Sequence, residues 1–267
     1  MIVINDVSDF NLTKTFECGQ CFRWNADENG VYTGIAFGKV IKLTERDKNV
    51  SIFCSENDFE NIWQNYFDLS LDYTKIRERL CVDDFMKAAT AFGAGIRILK
   101  QDKWEALCSF IISQNNNIPR IKAIIENLCN AFGDKIIFED KNYFSFPSPG
   151  KLAGLSIKDL VPLRCGYRAN YILSAAQSVA SGAIDLDALS ALPPHEAKAA
   201  LMKLHGVGAK VADCMLLFGL YMLDSFPRDT WIKQAISKYY SSDFDPAVFS
   251  PYAGIAQQYI FYYMRNA

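Results

Sequence analysis

The chain reads as an α+β protein, with an N-terminal antiparallel sheet domain and flanking helices over residues 1–95 and an all-helical domain over residues 96–267. Three observations predict this. In the first 60 or so residues, Ile41 and Leu43 alternate with polar neighbours, Phe37-Gly-Lys39 offers a tight turn, and polar Glu45–Asn49 precedes Val50-Ser-Ile52. That is the period-two pattern of half-buried strands interrupted by turns. From about residue 57 the period changes: Ile118, Ile121, Ile125 and Leu128 recur at the spacing that lines one helix face. Farther on, two apolar helical stretches are joined by Leu204-His-Gly-Val-Gly208, which is punctuated like a sharp corner.

The elements follow in order. A helix from Trp104 to Ile112 is separated from the helix beginning near Ile118 by Gln114-Asn-Asn-Asn117, whose side chains suit helix-end amides, and Pro119 suits a first turn. Phe144-Ser-Phe-Pro-Ser-Pro-Gly150 is the clearest loop, and short helices follow around Leu152–Leu155, Ile157–Leu163 and Ala169–Ser181. Leu192-Pro-Pro194 precedes a helix from His195 to Leu204, a second runs from Lys210 to about Leu223, and Tyr252–Arg265 closes the chain. There is no internal repeat or low-complexity tract.

Half of the 267 residues are apolar, enough for a substantial core. The longest apolar run, Val211 to Leu223, contains Asp213 and falls short of the roughly 20 residues a membrane span needs. No basic stretch precedes an apolar one at the start, so neither a secretory signal nor a membrane partner is expected. The eight cysteines are scattered, which favours reduced thiols over disulfides, a half-motif at Cys18-x-x-Cys21 notwithstanding. No closely spaced set of four cysteines suggests an iron-sulfur cluster. Lys and Arg number 28 against 30 Asp and Glu, a net charge of −2, so any surface for nucleic acid must be local.

The chemistry concentrates at Leu204-His-Gly-Val-Gly-Ala-Lys-Val-Ala-Asp-Cys214 and at Asp229 in Phe-Pro-Arg-Asp-Thr-Trp. Two helices joined by such a turn form a helix-hairpin-helix. Gly206 and Gly208 permit the bend and bring backbone N–H groups, backed by a helix N-terminus, to an anion such as a DNA phosphate. Such contacts hold DNA without reading sequence. Lys210, at that positive helix end, is disfavoured as a cation, and burial would lower its pKa further, leaving the neutral amine a nucleophile needs. Attack on the C1′ of a deoxynucleotide would expel the base and leave an imine, from which the 3′ phosphate can be eliminated. Asp229 would stabilise the cationic sugar. A solvated lysine and a helix-capping aspartate are the bland alternatives.

Five blocks now carry a resemblance: Cys18-Gly-Gln-Cys-Phe-Arg-Trp24, Phe110-Ile-Ile-Ser-Gln-Asn-Asn-Asn117, Gly166-Tyr-Arg-Ala-Asn-Tyr171, Gly206-Val-Gly-Ala-Lys-Val-Ala-Asp-Cys214 and Ala256-Gln-Gln-Tyr-Ile-Phe261. From about residue 10 onward the chain resembles the 8-oxoguanine DNA glycosylase/lyases of the helix-hairpin-helix-Gly/Pro-Asp superfamily. The resemblance implies a helix-hairpin-helix glycosylase domain, with Lys210 as nucleophile and Asp229 as the essential carboxylate. It implies no required cofactor, but a monovalent cation in the hairpin held by the carbonyls of Met202, Leu204 and Val207. The implied partner is duplex DNA containing 8-oxoguanine, preferred opposite cytosine. A monomer is expected, cytoplasmic in a bacterium or archaeon and nuclear in a eukaryote.

The implied lesion pocket makes physical sense. Oxidation turns guanine N7 from acceptor to donor, so one backbone carbonyl, here that of Gly19, can discriminate. Gln257 and Phe261, on one face of the last helix, would offer an amide to the Watson–Crick edge and a ring to the base plane, with Cys214 opposite. The base must be flipped out of the duplex. Asn115 would fill the gap, Tyr167 would wedge the stack, and Arg120 and Arg168 would donate to the orphaned cytosine. Two departures stand out: Trp231 where vertebrate-type members carry histidine, and His205 in place of a hairpin proline. They imply altered phosphate contacts near Asp229. The rival readings are an alkylpurine glycosylase, which lacks the lysine and activates water, and a non-catalytic DNA-binding module.

Overall fold

The computed structural model describes residues 1–5, 9–241 and 243–267. Strands β1 (Ile2–Ile4), β2 (Trp24–Ala26), β3 (Tyr32–Ala36), β4 (Lys39–Arg46) and β5 (Asn49–Phe53) form one antiparallel sheet in the order β1-β5-β4-β3-β2. The predicted alternation holds: Ile41, Leu43, Val50 and Ile52 are fully buried, and Leu43 lies opposite Ile52. Phe37 and Gly38 between β3 and β4, and Asp47 and Lys48 between β4 and β5, all have positive φ, as two-residue hairpins with the native twist require. The turn expected over Glu45–Asn49 is therefore narrower, because pairing continues to Arg46 and Asn49. Glu45 instead anchors the helix Leu12–Glu17, its carboxylate accepting from Leu12 N–H at 2.8 Å and Asn11 Nδ2 at 3.0 Å.

Two hydrophobic cores divide the chain differently from the 95/96 boundary. The sheet core gathers Phe16, stacked on Trp24 with centroids 4.1 Å apart, together with Tyr66, Phe67 and Leu99. The helices Tyr73–Leu80 and Asp84–Phe92 pack into the helical core, which also takes in Cys18 and Phe22. Cys21 belongs to the sheet core, so the turn at Gly19 lies on the seam.

The helical half contains one non-helical element that periodicity did not reveal. Strands β6 (Lys135–Phe138) and β7 (Lys141–Phe144) pair through Glu139 and Asp140, both at positive φ, so Phe144 ends a strand before the loop begins. The helix Lys103–Ser113 meets the helix Ile118–Phe132 at the asparagine corner. There Asn117 caps the second helix by accepting Arg120 N–H at 3.0 Å, while Asn116 serves a carbonyl of the first.

The hairpin helices are shorter than expected. The first is Pro194–Leu201, because three-residue turns to Leu204 and Val207 carry the backbone out of helical register. The second, Ala209–Cys214, continues as a π-helical turn over Met215–Gly219, where Leu220 N–H reaches the Met215 carbonyl. Lys198 and Asp213, 2.7 Å apart, brace the two. The closing helix is Ala253–Asn266. No helix among the described residues is long and apolar enough to cross a membrane.

Candidate active site

A cavity of about 730 Å³ opens where the Gly19 turn, the asparagine corner, the second hairpin helix, the helix Thr230–Tyr239 and the closing helix converge. Its walls include Gly19, Asn115, Gly208, Lys210, Cys214, Asp229, Gln257 and Phe261. Residues spread over most of the chain thus face one space large enough for a nucleobase and its sugar.

Lys210 is the second residue of the helix Ala209–Cys214. It is exposed at the mouth of the cavity, which corrects the expectation that the protein itself buries the amine. The reason lies two residues earlier, where Gly208 faces open space and leaves the helix start uncovered. Desolvation of the amine then depends on what closes the mouth. Cys214, one turn deeper, is buried, and that burial pushes its thiol up to about 11, with Lys210 opposing.

Asp229 caps the helix Thr230–Tyr239, its Oδ1 accepting Ile232 N–H at 2.9 Å. Burial raises its pKa from the ordinary aspartate value, while the Ile232 N–H and the charge of Lys210 pull it back. The capping reading is therefore correct, and it is compatible with a role in the cavity: the cap fixes the carboxylate where it feels Lys210.

Gly19 has φ +82°, a region open to glycine, and a Cβ there would lie 3.5 Å from the Phe261 ring. The backbone thus comes close to the ring that would stack on a base. Gln257 is 4% exposed, and its Oε1 finds no hydrogen-bond partner. A buried amide oxygen left open is costly unless a ligand supplies the donor. Phe110 and Phe218 stack on each other at 5.3 Å along the cavity wall.

The orphan-base group sits beside the cavity. Asn115, at φ +45° and exposed, places Nδ2 3.5 Å from the Tyr167 hydroxyl, and Tyr167 is 47% exposed. Arg120 is exposed, with one 3.4 Å contact to the Arg164 carbonyl. Arg168 differs from the expectation of a free reader. It is 3% exposed, stacks on Tyr167 at 4.5 Å, and donates to the carbonyls of Gln114, Asn115 and Cys165. Through these bonds it holds the loop that carries Asn115.

The hairpin is tied to this group. Gly206 has φ +84°, and a Cβ there would fall 2.2 Å from the Tyr171 ring. Tyr171 also packs against Tyr167 and, edge to face at 4.9 Å, against His205, which gives the missing proline's place a packing role. Of the three carbonyls expected to hold a cation, that of Leu204 already accepts Val207 N–H at 3.0 Å, although a carbonyl can accept twice. Leu204 and Val207 are buried, whereas the Met202 side chain is exposed.

Sequence reasoning missed several cavity residues. Arg228, Lys233 and Arg265 join Lys210 on the lining, so the local positive surface that net charge conceals is present here. Nothing in their sequence neighbourhoods separated these cations from the other basic residues. Trp231, noted only as a departure, also lines the cavity and is 38% exposed.

Comparison with known proteins identifies the family. The 8-oxoguanine DNA glycosylase N-terminal domain family matches residues 2–107, and the HhH-GPD superfamily of base excision DNA repair proteins matches residues 108–248. The N-glycosylase/DNA lyase of Saccharomyces cerevisiae is 31% identical over 259 residues, covering 87% of this chain and 69% of the yeast protein. That of Arabidopsis thaliana is 31% identical over 263 residues, covering 91% and 70%. The Clostridium acetobutylicum 8-oxoguanine glycosylase/lyase, solved with double-stranded DNA containing cytosine opposite 8-oxoguanine, superposes with a TM-score of 0.93. It is 40% identical over 98% of this chain and 94% of that one.

Proposed function

The chain belongs to the HhH-GPD superfamily of base excision DNA repair proteins and is a DNA glycosylase/lyase; we propose that it excises 8-oxoguanine, preferentially opposite cytosine, through an imine (Schiff base) on Lys210. The observation that carries this reading is the single cavity that presents Lys210 and Asp229 together with Gly19, Gln257 and Phe261. The first pair supplies chemistry, and the second group supplies recognition of a purine.

The steps follow from these positions. Duplex DNA binds with a phosphate at the hairpin N–H groups, and the damaged nucleotide is flipped at a cost of about a few kcal/mol while Asn115 and Tyr167 occupy the gap. DNA closing over the mouth desolvates Lys210, which the protein alone leaves exposed. As the bond from C1′ to the base breaks, the base leaves with the electron pair, Asp229 stabilises the positive sugar, and the amine bonds to C1′. Ring opening gives the imine. Loss of a proton from C2′ then expels the 3′ phosphate. The cation is part of the same proposal: carbonyls of Met202, Leu204 and Val207 would hold it, stiffening the turn and adding positive charge near the phosphate. We also take the enzyme to act as a monomer on duplex DNA.

The alkylpurine reading fits less well, since an enzyme that activates water has no use for an amine on the cavity wall. The test is base release from duplexes carrying one lesion, each paired with the four normal bases. Excision of 8-oxoguanine, fastest opposite cytosine, is expected. Release of a methylated purine but not of 8-oxoguanine would overturn the proposal.

A further inference from the structure

The turn that carries the proposed lesion reader is fastened on both sides and left open in the middle. On one side Gln258 Nε2 donates to the Cys18 carbonyl at 2.6 Å. On the other, Gln101 Nε2 donates to the Gln20 carbonyl at 2.8 Å. The fully buried Gln20 side chain donates to the carbonyls of Thr15 and Arg97 and accepts from Leu99 N–H at 2.9 Å. The Gly19 carbonyl between them accepts no hydrogen bond from any described residue.

This arrangement has a mechanical reading. The Cys18 carbonyl lies in the peptide plane before Gly19, and the Gln20 carbonyl in the plane after Gln20. Fixing both leaves the intervening plane, which bears the Gly19 oxygen, little freedom, although glycine alone would allow much. Gln258 is 2% exposed and neighbours Gln257 on the closing helix. The helix that offers an amide and a ring to the base therefore also sets the direction of the opposite wall.

We propose that Gln258 is a positioning residue that aims the Gly19 carbonyl and so sets discrimination between 8-oxoguanine and guanine. This rests on the reading that the Gly19 carbonyl meets N7. A carbonyl held in place rewards the lesion, whose N7 is a donor, and penalises guanine, whose N7 is a second acceptor. Releasing it weakens the first and relieves the second, so both changes move the ratio of affinities the same way. A residue that merely supported the fold would weaken both duplexes alike.

The experiment uses full-length protein carrying Lys210→Gln to prevent chemistry, with Gln258 intact or changed to Leu or Glu. Binding is measured to duplexes with a single 8-oxoguanine or guanine opposite cytosine, and thermal melting verifies folding. Gln258→Leu should lower the 8-oxoguanine preference about tenfold, the scale of one hydrogen bond, and Gln258→Glu, which sets acceptor against acceptor, should lower it further. A folded variant with an unchanged ratio, or with equal losses on both duplexes, overturns the role of Gln258 and leaves the reading of Gly19 standing. If the parent with Gln258 intact shows no preference for the lesion, the reading of Gly19 falls and takes this inference with it.

Discussion

Two glycine turns meet at the cavity, and they are built in opposite ways. Cys18-Gly19-Gln20 lies on the seam between the two cores, with both neighbouring carbonyls bonded and one carbonyl left free. Gly206-Val-Gly208 is bare: Gly208 faces open space, and the N–H groups of Gly208, Ala209 and Lys210 donate to no described residue. Under the proposed function, the first turn would hold one acceptor still, because a base is told apart by where its donors are. The second would keep donors accessible, because a phosphate is met from solvent and in no particular sequence. A fastened turn and an open one thus share one motif ingredient, glycine, for different reasons.

The largest effect should come from the chemistry between the turns. Asp229→Asn keeps a capping side chain, so the fold should survive, while single-turnover excision slows on the order of 10²- to 10³-fold and lesion binding changes little. A parallel loss of binding would make Asp229 mainly a cap. Because burial raises the Asp229 pKa, the carboxylate proposed to stabilise the sugar cation is lost on acidification at a higher pH than for a solvated aspartate. The acid limb of the excision profile should accordingly lie higher than a solvated aspartate would place it, and should vanish in the Asn variant.

The hairpin glycines should separate next. Gly206→Ala must accommodate both φ +84° and the Tyr171 ring, and should cost about 2–3 kcal/mol of stability by denaturant unfolding. Gly208→Ala, at φ −91° with nothing near its Cβ, should cost under about 0.5 kcal/mol yet weaken DNA binding several-fold. Equal losses of stability would refute the contrast between a packed and an open glycine. The last comparison concerns the opposite base. Arg120→Ala and Arg168→Ala should both relax cytosine preference, with only Arg168→Ala also lowering stability, by about 2 kcal/mol, since its guanidinium is buried on three carbonyls. Retention of the preference in both variants would remove them as readers.

Much of this was legible in the sequence for physical reasons. Alternation at Ile41 and Leu43 marks a half-buried strand directly, and Gly206-Val-Gly208 before Lys210 marks a corner that opens a helix. What the sequence hid was tertiary. Gln258 looks like any polar residue beside Gln257 until the closing helix is laid against Cys18. Arg168 looks like a solvated cation until the asparagine corner folds over it. The β6-β7 hairpin is not legible in the sequence because four-residue strands carry too short a period to stand out inside a helical region. Exposure of Lys210 was not predictable either, since it depends on the empty space beside Gly208.

The imine on Lys210 is tested most directly by borohydride reduction during reaction with a duplex bearing 8-oxoguanine opposite cytosine, followed by peptide mapping of the cross-link. A covalent protein–DNA adduct on Lys210, absent in Lys210→Gln, is expected. No adduct, or one that forms equally well in Lys210→Gln, would rule out the Lys210 imine.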